Sequence, residues 1–559
     1  MEQTAATPGE ASGAPAGRAG PPVPVRAVSG ESPAGSAGAV GPLVRGLEVL
    51  RVLATGPEPR RHPGDLARVT GLARSTVDRI TTTLVRVGVL RAEGRELLLA
   101  PGAAELGNAY LASCGLPELL GPHAASLAGT LDESVSLAVP DGDGVRFLTQ
   151  SARRRAMAIS LRPGELLPAG HCAAGALFAA GRDEDGPARG TGTPDRHRRV
   201  AEARARGFAV DDQMIEPGLV AVAVPVRGPD GAVVCAVGVE SHTSRHSAAS
   251  LEERALPALR RTAAAMEEAL ASAPAATTHP APPVATAAGA REDALKEELG
   301  AGFLRSLARG LDVLRAFGAV RGPARLTDLA RLTGQPRATT RRSLLTLRHL
   351  GYVQEEEAGF RLLPRVLELG YARLSGLTLP EIATPHLVDL VRRVRESASV
   401  AVLDGDDIRY VARVAGSRIM RIDIGIGTRL PAYATAMGRV LLGALPAAER
   451  TVRLGRITPE ALTPHTLTTR DDLEEAVTAT AERGHGWVER ELEEGLRSLA
   501  VPVTDGAGRV VAAVNIALHA GRATPEESLA TLLPPLRETA ALIGADLAAV
   551  GRFSPVAPG

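Results

Sequence analysis

Residues 62–90 (HPGDLARVTGLARSTVDRITTTLVRVGVL) align without a gap on residues 325–353 (RLTDLARLTGQPRATTRRSLLTLRHLGYV), with 12 of the 29 positions identical. A spacing of 263 residues is far longer than a solenoid repeat, so the chain reads as a tandem duplication of a whole two-domain protein. Each stretch places apolar positions at helical spacing on both sides of a glycine, Gly71 or Gly334, and its second segment is rich in arginine. Helix, turn and arginine-bearing helix are the parts of a head that enters the DNA major groove. One polypeptide is therefore expected to carry two such heads.

A length of 559 residues suits about four domains, which two copies of a two-domain unit would supply. The chain is 45% hydrophobic and 23% charged, ordinary for a globular protein, and its net charge of +1 means that any basic surface is local. Cys114, Cys172 and Cys235 are scattered without a CxxC, which fits a reducing compartment better than a disulfide scaffold. No apolar run approaches the length of a membrane span and no basic segment leads into an apolar core, so a cytoplasmic location is expected.

Residues 1–40, rich in Ala, Gly, Pro and Ser, read as a disordered tail. Residues 41–100 form the first winged helix-turn-helix, with RAEGRELLLA (91–100) as a wing, and 101–270 hold a linker helix (AAELGNAYL) and a larger domain. Residues 271–300 form a proline-bearing linker, 301–363 the second winged helix-turn-helix, 364–550 its linker helix (VLELGYARL) and larger domain, and 551–559 a tail. Both larger domains alternate apolar and polar residues around DG and GAG turns, so they are expected to be α+β on a mainly antiparallel sheet. The register offset is 263 up to about residue 180 and 277 after residue 213, so copy 1 lacks 14 residues opposite 444–485.

In copy 2, Thr327 is expected to cap the first helix of the motif, Gly334 to end it and Pro336 to open the next. On that second helix Thr340, Leu344 and Leu347 face inward, while Arg337, Ala338, Arg341 and Arg342 share an outer face with Thr339 beside them. Arginine there can pair two acceptors of guanine, and threonine can bond a base or a phosphate. Copy 1 presents Arg74, Ser75, Thr76 and Arg79, with Asp78 in place of Arg341; a carboxylate repels phosphate yet can accept from cytosine.

The segments SLARGLDVLRAF, LTDLARLTGQPRATTRRSLLTL, LPRVLELGYARLSGL, TRLPAYATAMGRVLL and EEGLRSLAVPV resemble the IclR family of bacterial transcription regulators. The resemblance covers 41–270 and 301–550, and copy 2 is most similar to the branch governing β-ketoadipate pathway genes for aromatic acids. It implies, in each repeat, a winged helix-turn-helix domain, a linker helix and a GAF-like α+β effector-binding domain. It also implies double-stranded DNA and a small organic acid as partners, and dimers or tetramers. The fused chain would then be a pseudo-dimer, and a homodimer of chains a pseudo-tetramer of repeats.

The effector pocket of copy 2 is expected at PAYATAMGR (431–439), with Tyr433, Ala434, Thr435 and Met437, at Glu494, Gly495 and Ser498, and at Asn515 and His519; Arg418 is a candidate partner for the acid. A helix start in that segment offers N–H groups to a carboxylate. Copy 1 departs here: Gly170, Cys172 and Ala174 replace Tyr433, Thr435 and Met437, and Ala221 and Gly238 replace Ser498 and Asn515. Its pocket is expected to be empty, altered or only structural. His242 and Arg245, matching His519 and Arg522, suggest a folding role.

Other classes find less support. The pairs His171–Cys172 and His242–His246 lack the convergence of a structural zinc site. With no GxSxG, HExxH or nucleophile–base pair, no enzyme and no cofactor is expected. Aromatic residues make up 2% of the chain, too few for RNA stacking platforms. The rival reading is a small-molecule sensor or assembly protein that has lost specific DNA binding.

Overall fold

The computed structural model describes residues 39–153, 159–181, 193–273, 294–416, 424–521 and 523–559. Helices Gly41–Thr55, Pro63–Thr70 and Arg74–Arg86 form the first head, and Arg305–Ala316, Leu326–Thr333 and Arg337–His349 the second. Each is closed by a two-stranded antiparallel wing, β1 (Leu90–Glu93) with β2 (Glu96–Leu99) and β9 (Val353–Glu356) with β10 (Gly359–Leu362). The copy 1 wing falls within a residue of the segment 91–100 expected for it.

The first helices of the two heads pack on each other reciprocally. A Cβ on Gly46 would lie 2.4 Å from Leu307, and one on Gly310 would lie 2.5 Å from Leu43, so glycine is what lets each leucine seat. The Val40 N–H donates to Thr346 Oγ1 at 3.0 Å, and the Leu304 N–H donates to Thr83 Oγ1 at 3.0 Å. These pairs are equivalent under the duplication, which makes the contact isologous, as in a two-fold dimer, within a single chain. The offset is 264 in this helix (Gly46 to Gly310) and 263 from the motif onward (Thr83 to Thr346).

The larger domain of copy 1 contributes β3 (Ser134–Asp141), β4 (Gly144–Ser151), β5 (Leu166–Pro168), β6 (Ala209–Asp212), β7 (Leu219–Arg227) and β8 (Val233–His242). Copy 2 contributes β11 (Ser397–Asp404), β12 (Asp407–Val414), β13 (Arg429–Pro431), β14 (Gly486–Glu489), β15 (Leu496–Thr504) and β16 (Val510–His519). Both sheets are antiparallel, ordered β5-β4-β3-β8-β7-β6 and β13-β12-β11-β16-β15-β14. Even the register shifts coincide, after Leu137 and Val400 and after Val226 and Val503. Long helices Ala248–Ser272 and Pro525–Gly551 cover one face, and Ala173–Ala180 and Ala436–Gly443 lie on the other. The α+β repeat architecture is as the sequence predicts.

Four local expectations need correction. Thr327 lies inside the helix Leu326–Thr333, whose N-cap is Arg325 without a side-chain cap bond. Pro336 is the N-cap of the following helix and not its first residue. The linker helix is continuous in copy 1 (Ala104–Cys114) but in copy 2 splits into a 3-10 turn, Pro364–Leu369, and a short helix, Tyr371–Leu374. The break falls at Gly370, whose φ of 120° only glycine tolerates readily. The final residues are not a loose tail: the Leu379 N–H donates to Ala557 O at 2.9 Å, and Arg409 Nη1 donates to Gly559 O at 2.9 Å. Among the described residues no helix is long and apolar enough to cross a membrane.

Candidate DNA-reading heads and effector cavity

On the second helix of the copy 2 head, Thr340, Leu344 and Leu347 are fully buried, while Arg337, Ala338, Arg341 and Arg342 are exposed and Thr339 is half-buried. Gly334 ends the preceding helix in the left-handed region (φ 65°), which sets the turn. Farther along, Arg348 pairs with Glu355 of the wing. In copy 1 Arg74, Ser75, Asp78 and Arg79 are exposed, Thr76 is half-buried, and Arg86 pairs with Glu298. The outer faces therefore differ in charge: three arginines in copy 2, two arginines and an aspartate in copy 1.

A cleft in copy 2 opens between the sheet and the helix Ala436–Gly443. It is lined by Ala434, Thr435, Met437, Ser498 and Asn515, all expected, together with Ser399, Tyr410, Arg413, Ile424, Val488, Leu492, Leu496 and Ala517. Asn515 Nδ2 donates to Ser498 Oγ at 3.1 Å, while its buried Oδ1 has no protein partner. Burial pushes the Tyr410 phenol up to about 12, with the Arg413 charge acting the other way. Arg413 lies three residues along the same strand from Tyr410, the one phenol lining the cleft among the described residues. Thr435 has a second task, since its Oγ1 accepts from Gly438 N at 3.0 Å and caps the helix. That bond takes up one of the N–H groups expected to be open to a ligand.

The remaining expected residues lie elsewhere. Tyr433 is buried beneath the wall, its hydroxyl donating to Glu460 O at 3.2 Å and accepting from Glu460 N at 3.0 Å. Glu494 and Gly495 are exposed on the turn before β15, and His519 is exposed beside them, accepting from Gly521 N at 3.1 Å. Arg418 lies outside the described residues, as does the side chain of Arg522. Arg245, by contrast, grips Glu133 at 2.6 Å, which supports a folding role.

Ser399 and Arg413 are the informative omissions. Ser399 stands opposite Asn515 because β11 pairs with β16, strands more than a hundred residues apart in sequence. Arg413 is on the hairpin strand β12, and strand alternation alone could have nominated it.

Two exposed reading helices on a fused pair of heads, joined to an antiparallel domain with a polar-anchored cleft, define a ligand-linked DNA-binding protein. Family models agree. The IclR helix-turn-helix domain matches residues 42–94 and 306–357, and the bacterial transcriptional regulator IclR C-terminal domain matches 187–268 and 371–545. The chain belongs to the IclR family of bacterial transcriptional regulators. It is 42% identical over 237 residues to the Pca regulon regulatory protein of Pseudomonas putida, covering 42% of this chain and 81% of that relative. It is 34% identical over 243 residues to the p-hydroxybenzoate hydroxylase transcriptional activator of Acinetobacter baylyi, covering 43% of this chain and 90% of that one. A solved transcriptional-regulator structure from Rhodococcus sp. RHA1 matches at 52% identity over 44% of this chain and all of that one, with a TM-score of 0.42. The two curated relatives are matched over most of their own length yet cover under half of this chain, as expected when one relative corresponds to one copy.

Proposed function

We propose that this regulator reads DNA with Arg337, Ala338, Thr339, Arg341 and Arg342 of one head and Arg74, Ser75, Thr76 and Arg79 of the other, and that an aromatic hydroxy acid in the copy 2 cleft controls it. The observation that carries the ligand reading is the lining itself. A guanidinium, Arg413, suits a carboxylate, the apolar wall of Met437, Val488, Leu492 and Leu496 suits a ring, and the unpartnered Asn515 Oδ1 needs a donor such as a ring hydroxyl. Two similar proteins, the Pca regulon regulatory protein and the p-hydroxybenzoate hydroxylase transcriptional activator, favour the same chemistry. The enclosed volume of about 20 Å³ is little more than one water requires, so a ring enters only as these side chains move apart. That opening gives the ligand a means of shifting the domain. Arg418 remains a further candidate for the acid.

The reciprocal contact of the first helices makes one chain the equivalent of a dimer, and a pair of chains would be the equivalent of a tetramer. The role is non-catalytic, and its place is with the chromosome in the cytoplasm. A mobility-shift titration with the chain's own promoter region, repeated with 4-hydroxybenzoate and protocatechuate, tests this reading. A specific shift altered by either acid is expected. A specific shift indifferent to both would reject the ligand class, and no specific shift would reject the DNA-reading assignment in favour of a sensor.

A further inference from the structure

Position by position, the two larger domains present opposite charge to the place where the copy 2 cleft lies. Arg413 is replaced by Gln150, Val488 by Asp211 and Ala517 by Glu240, while Met437, Ser498 and Asn515 shrink to Ala174, Ala221 and Gly238. The sheet register confirms these equivalences. Ser136 pairs with Gly238 as Ser399 pairs with Asn515, and Asp211 pairs with Ala221 as Val488 pairs with Ser498. Asp211, Ala221 and Glu240 therefore form one row across β6, β7 and β8. Opposed residues in an antiparallel sheet point to the same face, and strands lie about 4.8 Å apart. The two carboxylates thus flank a single alanine on the side that faces the cleft in copy 2.

Both acids are buried and both are incompletely satisfied. Glu240 is 4% exposed and Asp211 is fully buried. Ser136 Oγ donates to Glu240 Oε1, and Met214 N donates to Asp211 Oδ1 at 2.9 Å, but Glu240 Oε2 and Asp211 Oδ2 have no protein partner. Gln150 Nε2 is likewise buried without one. Arg199 is the cation acting on Asp211; its Nη1 donates to Gly170 O at 2.7 Å and its buried Nη2 has no protein partner. Among the described residues, burial, the Ser136 hydroxyl and its own backbone act on Glu240, and no cation does. Cys172, in place of Thr435, is held neutral by burial, which pushes its thiol up to about 11. A buried carboxyl with an open acceptor is costly unless a donor or countercharge arrives, and Glu240, which burial keeps protonated up to about 8, releases its proton when a cation pairs with it.

We propose that the copy 1 domain is a second ligand site of inverted polarity, in which Glu240 and Asp211 bind a small organic cation such as an ammonium or amidinium group. The proposal rests on reading the larger domains as effector-binding modules. It does not depend on the copy 2 ligand being an aromatic acid. Ala174 is smaller than Met437 and Ala221 smaller than Ser498, while the bare Gly238 lets the Glu240 carboxyl lie over it, where a Cβ would come within 3.0 Å of Oε1. The chain would then answer an acid through one domain and a base through the other.

Calorimetric titration of the full-length protein with benzylammonium and with benzamidinium chloride tests the site. Saturable binding of one equivalent per chain is expected, unaffected by saturating 4-hydroxybenzoate and by Asn515→Ala. Glu240→Ala, which installs the copy 2 residue, and Glu240→Gln, which keeps the shape, should each weaken it at least about tenfold. Absence of binding by both cations at millimolar concentration would overturn the proposal, as would undiminished binding in both variants. Cation binding by a chain that does not itself bind 4-hydroxybenzoate in a separate titration would instead refute the copy 2 ligand and leave this site standing.

Discussion

The two larger domains share strand order, register shifts and flanking helices, yet one wall of the fold was rebuilt as a unit. In copy 2 the buried pair Arg439–Glu491 and the Tyr433 hydroxyl hold a loop that follows the helix Ala447–Leu454. Glu491 accepts from Thr466 Oγ1 through its backbone oxygen at 2.7 Å and from Leu467 N through its side chain at 3.4 Å. Copy 1 has Gly170, Ala176 and Met214 where Tyr433, Arg439 and Glu491 stand, and it lacks the residues that they hold. A buried ion pair without its loop would be a desolvation cost with nothing to offset it, which accounts for loop and anchors being absent together from copy 1. The sheet survived because its stability rests on apolar rows that neither change touched. A deletion in a buried network is thus absorbed by removing every partner, and the space left behind is free to acquire new chemistry.

That comparison can be broken at several points. The largest effect is expected for Arg439→Ala, which strands Glu491 inside the copy 2 domain and should cost about 3–5 kcal/mol. Denaturant unfolding with hydrogen exchange should show the loss confined to copy 2, and a loss spread over both domains would refute the unit. Next comes pH. Burial raises the Glu240 carboxyl from 4.5 to about 8, so the folded chain holds that proton more tightly than the unfolded chain. Stability should be full below about pH 4.5 and fall as pH rises toward 8, and Glu240→Gln should flatten that slope in thermal melts.

The heads allow finer tests. Arg337→Ala and Arg342→Ala should each cost about 1–3 kcal/mol of operator affinity and relax base preference if they pair with guanine. An unchanged titration would remove that helix from the interface. Thr346→Val leaves the Val40 N–H without its acceptor and should destabilise the paired heads by about 1 kcal/mol, measured by unfolding. Its mate Thr83→Val should do the same, and unequal losses would show that the contact is not truly two-fold. Smallest is Asp78→Arg, which gives copy 1 the copy 2 face. It should steepen the salt dependence of DNA binding by about one unit if it adds a phosphate contact.

Local pattern carried much of this reading. Gly334 and the buried Thr340, Leu344 and Leu347 follow from helical spacing and capping chemistry, and the wings and hairpins from alternation around turn residues. Thr327 misled because a threonine near a helix start is a good cap only when it precedes the first turn, and here Leu326 already lies inside. The break at Gly370 was hidden for a related reason: glycine permits either helix or φ 120°, and packing against Leu99 of the other copy accompanies that choice.

The cleft shows where sequence stops. Ala434, Thr435, Met437 and Ser498 were legible because they sit in segments that resemble the family, and Asn515 from its place on the closing strand. Ser399 was not, because its place opposite Asn515 depends on pairing between distant strands. Tyr433 was legible as an important residue but not as a wall anchor, since its partner is the backbone of a loop. The family model for the C-terminal domain matches copy 1 only over 187–268, so the retained six-stranded sheet is plainer in three dimensions than in the residues. By itself the sequence determined the duplication, the reading helices and the alternating strands, all of which arise from local periodicity and turn chemistry. The reciprocal glycine–leucine contact between heads and the facing of Asp211 and Glu240 were decided only by tertiary structure, because each joins residues that long-range packing alone brings together.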